Sequence, residues 1–354
     1  MIEANDLDSP SALLRLSLAH QPTPLLPLPP LAAALGVAAV LVKDEGRRPL
    51  GNFKALGGVY ASLRALARAV GAPAISLLDH SVERPPLPAL VCASDGNHGL
   101  AVAAAARLAR TKARVFLPAI VPPARLARIA AKGADVVRVA GTYDEAVRAA
   151  AASAQETGDL LIADTSPEEG DPVVADVMAG YGVIAEEIRG QLAAHAAPTH
   201  LFVQAGVGGL AAALVSGLQA ALAPPRRLVV VEPANAACVG AALKARRVVV
   251  APGDLQTSAE MLSCGEASAP ALAILLRARA EAIAVSETDL LAAPGLLAAK
   301  GGPRTTPSGA AGLAGLRAAL ADPALAARLS LDRASRVLLI ATEARLSDME
   351  PSHG

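Results

Sequence analysis

Short apolar runs alternate along this chain with longer alanine-rich stretches, and Gly or Pro punctuates most of the junctions. The runs VAAVLVK (37–43), ALVCA (89–93), ARVFLP (113–118), DVVRVA (135–140), LLIAD (160–164), LFVQA (201–205) and LVVVE (228–232) predict strands, most of them with apolar residues on both faces. Between them the spacing predicts helices over 54–70, 99–110, 123–132, 143–157 and 174–196, with another opening after Gly209. This alternation implies an α/β fold of parallel sheets joined by right-handed crossovers. The Pro- and Leu-rich segment from Pro22 to Pro30 reads as an extended surface arm before a helix near Ala32, and residues 76–88 as a surface loop. The final residues, SDMEPSHG, read as a frayed end.

The 354 residues are enough for two lobes, each with its own core, and a hydrophobic content of 53% against 18% charged argues against disorder. Lys plus Arg balance Asp plus Glu at 32 each, so no net field favours nucleic acid or an anionic membrane, and the expected partner is a small molecule. Residues 201–225 carry no charge and reach membrane-spanning length. Gly206, Gly208 and Gly209 divide that stretch into strand, tight loop and helix, so no membrane span is expected. Cys92, Cys238 and Cys264 have no CxxC spacing and read as core thiols, with neither a disulfide framework nor a metal site. The N-terminal MIEANDLDSP has no basic-then-apolar signal, which makes the cytoplasm the expected location.

Three loops carry candidate chemistry. In Lys43-Asp44-Glu45-Gly46…Gly51-Asn52-Phe53-Lys54…Gly57-Gly58, Asn52 is placed to cap a helix whose first turn holds Lys54. The positive end of that helix would disfavour an ammonium there and favour a nucleophilic amine. Ser94-Asp95-Gly96-Asn97-His98-Gly99 lies between a strand and a helix, where free amides can receive a carboxylate. Gln204-Ala205-Gly206-Val207-Gly208-Gly209 has the same setting and suits a phosphate. With Ala211 at the third glycine position of a dinucleotide fingerprint, a short phosphate cup fits better than a dinucleotide crevice. Taken singly, the first is what a solvated surface lysine in a first helical turn looks like, and the second what a capped turn looks like.

In this order the three motifs resemble the fold-type-II pyridoxal-phosphate enzymes: the serine and threonine dehydratases, threonine synthase and, above all, the diaminopropionate ammonia-lyases. The resemblance runs over about residues 37–315. It extends to Gly141-Thr142-Tyr143-Asp144-Glu145-Ala146-Val147, Ala163-Asp164-Thr165, Gly180-Tyr181-Gly182, Val231-Glu232-Pro233 and Cys264-Gly265-Glu266. It implies a tryptophan-synthase-β-like fold of two parallel-sheet lobes with the cofactor in the cleft between them. The implied large cofactor-binding domain comprises 1–88 and 173–354, and the implied small domain, 89–172, carries the substrate-carboxylate loop.

The resemblance implies pyridoxal 5′-phosphate as cofactor, with Lys54 as the Schiff-base lysine, Phe53 beside it and Gly206, Val207, Gly208 and Gly209 as the phosphate cup. It also implies that Asn97 bonds the ring hydroxyl, that Ser94, Asp95, Gly96, Asn97 and His98 form the substrate loop, and that Asp95 and Asp164 are bases for opposite enantiomers of 2,3-diaminopropionate. The implied reaction is β-elimination: the cofactor acts as electron sink, and the aminoacrylate released hydrolyses to pyruvate and a second ammonia. The implied assembly is a homodimer. Two departures bear on substrate choice. Thr306-Pro307-Ser308-Gly309-Ala310 lacks the family's Glu before Ser-Gly-Ala, and Ala341-Thr342-Glu343-Ala344 replaces Ser-Thr-Glu-Gly, leaving Thr342 as the candidate partner of the pyridine nitrogen. Competing expectations are a serine or threonine dehydratase, a threonine-synthase-like lyase and a catalytically silent cofactor-binding paralogue.

Overall fold

The computed structural model describes residues 8–18, 20–81, 84–94 and 96–345. The SDMEPSHG end therefore lies outside the described residues. The chain runs α1 (Pro10–Leu18), β1 (Leu25–Pro27), α2 (Pro29–Leu35), β2 (Ala39–Asp44), α3 (Lys54–Val70), β3 (Leu90–Ala93), α4 (Asn97–Leu108), β4 (Ala113–Pro118), α5 (Pro123–Ala130), β5 (Asp135–Val139), α6 (Tyr143–Thr157) and β6 (Leu160–Leu161). It continues with α7 (Pro172–Gln191), β7 (His200–Gln204), α8 (Gly209–Leu218), β8 (Arg227–Pro233), α9 (Cys238–Ala245), α10 (Ala269–Arg277), β9 (Glu281–Val285), α11 (Glu287–Ala299), α12 (Ala311–Ala321), α13 (Pro323–Leu329) and β10 (Arg336–Ala341). Contacts group these elements into two compact units.

One unit comprises Met1–Gln21, Lys54–Ser166 and Gly170–Val183. Its four-stranded parallel sheet has the order β5-β4-β3-β6. The expected small domain, 89–172, falls within this unit except for Pro167–Glu169, and the unit also takes in α3. Glycines explain that placement. A β-carbon at Gly58 would stand 2.6 Å from Cβ of Ala101 on α4, and one at Gly57 would stand 2.4 Å from Cε1 of Tyr181 on α7. A β-carbon at Gly180 would in turn lie 2.7 Å from Cα of Gly57, so α3 and α7 cross nearly backbone to backbone. The Leu56-Gly57-Gly58 and Gly180-Tyr181-Gly182 motifs are thus two halves of one close helix crossing.

The other unit comprises Pro22–Phe53, Pro167–Glu169 and Ile184–Gly354. Its six-stranded sheet has the order β1-β2-β10-β7-β8-β9, parallel except for β1. Its core is aliphatic apart from Phe202, and is built on that residue with Val42, Val229, Val231, Ile283, Leu313, Leu316 and Leu339. The segment expected as a surface arm is instead an edge strand: Leu26 is in register with Val42, and Leu25 and Leu28 are buried. Strand β10 occupies the middle of the sheet, with Leu339 in register with Val42 on one side and Phe202 on the other.

A four-charge network sits inside this unit. Lys43, Glu45 and Arg48 have fully buried side chains, and that of Glu187 is 6% exposed. Lys43 Nζ donates to Glu187 Oε2 at 2.6 Å and to the Thr23 carbonyl at 2.7 Å. Arg48 grips both carboxylates, with Nε 2.6 Å from Glu45 Oε2 and Nη1 2.9 Å from Glu187 Oε1. Two cations and two anions leave the cluster neutral, and the polar contacts around them offset its desolvation. It secures the chain that leads from β2 toward Lys54.

Candidate active site

In the unit built on the four-stranded sheet, the candidate residues gather beyond the C-terminal ends of parallel strands, where open α/β sheets place their ligands. The strand expected over 160–164 pairs only through Leu160–Leu161, so Asp164 stands past its end. Lys54 opens α3, and its Nζ donates to Asp164 Oδ2 at 2.6 Å. The Tyr143 hydroxyl, at the start of α6, donates to Asp164 Oδ1 at 3.1 Å. The Lys54 side chain is 23% exposed and that of Asp164 5%. Burial alone would raise the Asp164 carboxyl, but the Lys54 ammonium, His98 and the hydrogen bonds from Lys54 and Tyr143 together outweigh it and hold it well below the usual carboxylate range. The helix N-terminus expected to disfavour a charged Lys54 therefore acts beside a carboxylate that favours it. Asn52, expected as the cap, donates its side-chain amide to the Leu50 carbonyl at 3.0 Å, and the residue directly before α3 is Phe53.

The Ser94–Gly99 loop is organised by one hydroxyl. Ser94 Oγ accepts from the amides of Gly96 and Gly99, each at 2.8 Å, and α4 then opens at Asn97. A β-carbon at Gly99 would stand 2.5 Å from Val115 Cγ1, so the helix start fits against the sheet only with glycine there. His98 is buried, its Nε2 2.8 Å from the Ile162 carbonyl, and burial lowers its pKa and favours the neutral ring. Its Nδ1 has no hydrogen-bond partner among the described residues. Asp95 lies outside the described residues. Cys92 and Tyr181 are buried near the same ion pair, and burial pushes both upward, away from ionisation.

In the unit built on the six-stranded sheet, Gly206–Gly209 joins β7 to α8. Gly208 has φ +99°, a conformation that favours glycine, and Gly209 begins the helix. A β-carbon at Gly206 would stand 2.9 Å from Cys264 Sγ. The Val207 carbonyl accepts from Ser268 N at 2.9 Å. The loop is therefore held open as a backbone cup at a helix N-terminus, which suits a phosphate. Thr342, past the end of β10, is 4% exposed and accepts at Oγ1 from Gln204 Nε2 at 3.2 Å. The same Gln204 nitrogen reaches the carbonyls of Ser308, Gly309 and Ile340. Phe53 N donates to the Thr342 carbonyl at 3.1 Å.

Beside position 307, where the acidic group is missing, Glu343 Oε1 accepts from Thr306 Oγ1 at 2.5 Å. Tyr143, Gln204 and Glu343 all lie in motifs singled out in the sequence, but none of the three had a role assigned there. No group of three or more His, Cys, Asp or Glu could hold a metal ion among the described residues. No helix among them is long and apolar enough to cross a membrane.

One unit thus carries an amine beside a buried carboxylate and a helix start with free amides, and the other a glycine cup; an amine and a phosphate cup are the chemistry that pyridoxal phosphate uses. Comparison with known proteins agrees. Residues 16–343 match the family model for pyridoxal-phosphate dependent enzymes. The chain is 31% identical to the diaminopropionate ammonia-lyase of Escherichia coli K12 over 338 residues, covering 92% of this chain and 84% of that one. It is 35% identical to the Salmonella typhimurium diaminopropionate ammonia-lyase over 347 residues, covering 91% and 84%. Among solved structures, Escherichia coli diaminopropionate ammonia lyase in complex with D-serine aligns with TM-score 0.84 at 29% identity, covering 96% of this chain and 90% of that one. The T.th. threonine deaminase aligns with TM-score 0.75 at 29% identity, covering 95% and 97%. The chain belongs to the pyridoxal-phosphate-dependent enzyme family and is a lyase of its fold-type-II branch.

Proposed function

We propose that this enzyme is an ammonia-lyase whose preferred substrate is 2,3-diaminopropionate, cleaved by β-elimination to pyruvate and ammonia. The observation that carries the reading is the buried carboxylate of Asp164, 2.6 Å from the amine of Lys54. A carboxylate so placed can take a proton from the α-carbon of a bound amino acid. Lys54 holds the cofactor through its ε-amino group, the amides of Gly206–Gly209 take its phosphate, Asn97 its ring hydroxyl and Thr342 its pyridine nitrogen. The amides from Ser94 to His98, at the positive end of α4, take the substrate carboxylate.

When bound, the cofactor supplies an electron sink for the pair left on the α-carbon. Asp164 removes the α-proton of one enantiomer and Asp95 that of the other. The β-amino group leaves as ammonia, and the released enamine takes up water to give pyruvate and a second ammonia. The protein acts as a homodimer.

Threonine dehydratases are also relatives, one from Corynebacterium glutamicum being 31% identical over 69% of this chain, and they favour a second reading in which hydroxide leaves from serine or threonine. A panel of D- and L-diaminopropionate, serine and threonine, read as pyruvate or 2-oxobutyrate release, decides between them. Fastest pyruvate release from diaminopropionate is expected. Faster turnover of serine or threonine overturns that substrate assignment, and a cofactor-loaded protein silent on the whole panel overturns the activity.

A further inference from the structure

We infer that Tyr143 is a positioning residue that holds the Asp164 carboxylate for proton abstraction. The inference rests on the role of Asp164 as a base given above. It begins in the motif Gly141-Thr142-Tyr143-Asp144-Glu145, which the reading of the site left without a task.

That motif builds a fixed helix start. The Thr142 side chain accepts from Glu145 N, and Glu145 Oε2 accepts from Thr142 N at 2.6 Å, a reciprocal capping box. Gly141 makes the second bond possible, since a β-carbon there would stand only 1.8 Å from Glu145 Oε2. With both ends of the first turn tied down, Tyr143 is presented in a defined direction. Its ring packs against the apolar cluster of Val91, Ala93, Phe116 and Ala146, and its hydroxyl reaches Asp164 Oδ1.

The two oxygens of Asp164 thus have separate donors, Tyr143 on Oδ1 and Lys54 on Oδ2. The amine of Lys54 is also the group proposed to hold the cofactor, whereas the Tyr143 phenol is assigned no part in holding it. Tyr143 therefore keeps the plane of the carboxylate fixed while Oδ2 is free to accept a proton. This chain contains only three tyrosines and fills its cores with aliphatic residues, so a tyrosine here is not the default apolar filler.

The groups facing Asp164 from the surrounding elements are Lys54 on α3, His98 on α4, Cys92 on β3, Tyr181 on α7 and Tyr143 itself. Cys92 and Tyr181 are buried and favour their neutral forms, and Lys54, His98 and the Tyr143 hydrogen bond are what lower the carboxylate. A phenolic hydrogen bond favours the ionised acid, so its removal raises the proton affinity of Asp164.

The test is Tyr143→Phe in the holoenzyme, assayed with D- and L-diaminopropionate beside Asp164→Asn. The expected result is a loss of kcat of about tenfold or more for the enantiomer that Asp164→Asn also impairs, with the other within about threefold. The acid limb of kcat/KM for the impaired enantiomer is expected to move up by about one pH unit. Visible cofactor absorbance and melting temperature should stay near wild type. Should Tyr143→Phe fail to fold, Glu145→Ala, which loosens the capping box and leaves the phenol in place, is expected to give a smaller loss with the same selectivity. Equal losses for both enantiomers with an unmoved acid limb overturn the inference. If Asp164→Asn impairs neither enantiomer, the base assignment itself falls; if it impairs one while Tyr143→Phe and Glu145→Ala impair none, only the role of Tyr143 falls.

Discussion

Lys54 Nζ stands 2.6 Å from Asp164 Oδ2, joining the first residue of α3 to a nearly buried carboxylate 110 residues further along the chain. Each group conditions the other. While the ammonium is present, Asp164 is a weak base, held well below the ordinary carboxylate range. The amine proposed to hold the cofactor is thus also the largest single influence that lowers this carboxyl.

From this follows a division of labour between the two candidate bases. Asp164→Asn is expected to lower kcat for one enantiomer of diaminopropionate by about 100-fold or more, and Asp95→Asn to do the same for the other. Separate kinetics on the pure enantiomers check this. Parallel losses on both enantiomers in each variant would refute the division.

The buried charge network makes a stability prediction. Removing one anion by Glu187→Ala leaves Lys43 and Arg48, both fully buried, in excess of their remaining partners. The expected cost is about 3–5 kcal/mol in chemical denaturation. The double variant Lys43→Met with Glu187→Leu removes one cation and one anion, keeps the Arg48–Glu45 pair, and is expected to be less destabilised than Glu187→Ala. Additive losses would contradict the charge-balance argument.

Glu232 predicts a pH effect on stability. It is fully buried on β8 and accepts from the amides of Val239 and Gly240 in the first turn of α9, each at 2.7 Å. Burial pushes its carboxyl up more than the two amides pull it down, and the net result is a rise from 4.5 to about 8. The folded chain therefore binds this proton more tightly than the unfolded chain. The resulting stability is complete below about pH 4.5 and is lost as pH rises through about 8. The melting temperature of the wild type relative to Glu232→Gln should fall between about pH 5 and about pH 9. A difference that stays flat or grows would show that Glu232 is ionised throughout.

Local features of the site were legible in the sequence, and long-range ones were not. The loops at Ser94 and Gly206 follow strands and open helices, so their capacity for anions could be read from a few adjacent residues. Helices α3 and α6 have the predicted bounds, and the Thr142–Glu145 capping box marks the beginning of α6 locally. By contrast, nothing near Arg336–Ala341 indicates that this late segment enters the middle of the six-stranded sheet, since that placement depends on partners at Val42 and Phe202. The Pro22–Pro30 segment looked unpaired because its prolines mask a short edge strand that bonds on one side. Tyr143 lay inside a noticed motif, yet its task became readable only when folding brought Asp164 to its hydroxyl.

Trapping the cofactor by reduction tests the central claim most directly. Borohydride treatment of the wild-type holoenzyme, followed by peptide mapping, should place the reduced pyridoxyl mass on Lys54, and Lys54→Ala should show neither that adduct nor the visible band of bound cofactor. An adduct on another lysine, or an undiminished band in Lys54→Ala, would contradict the account.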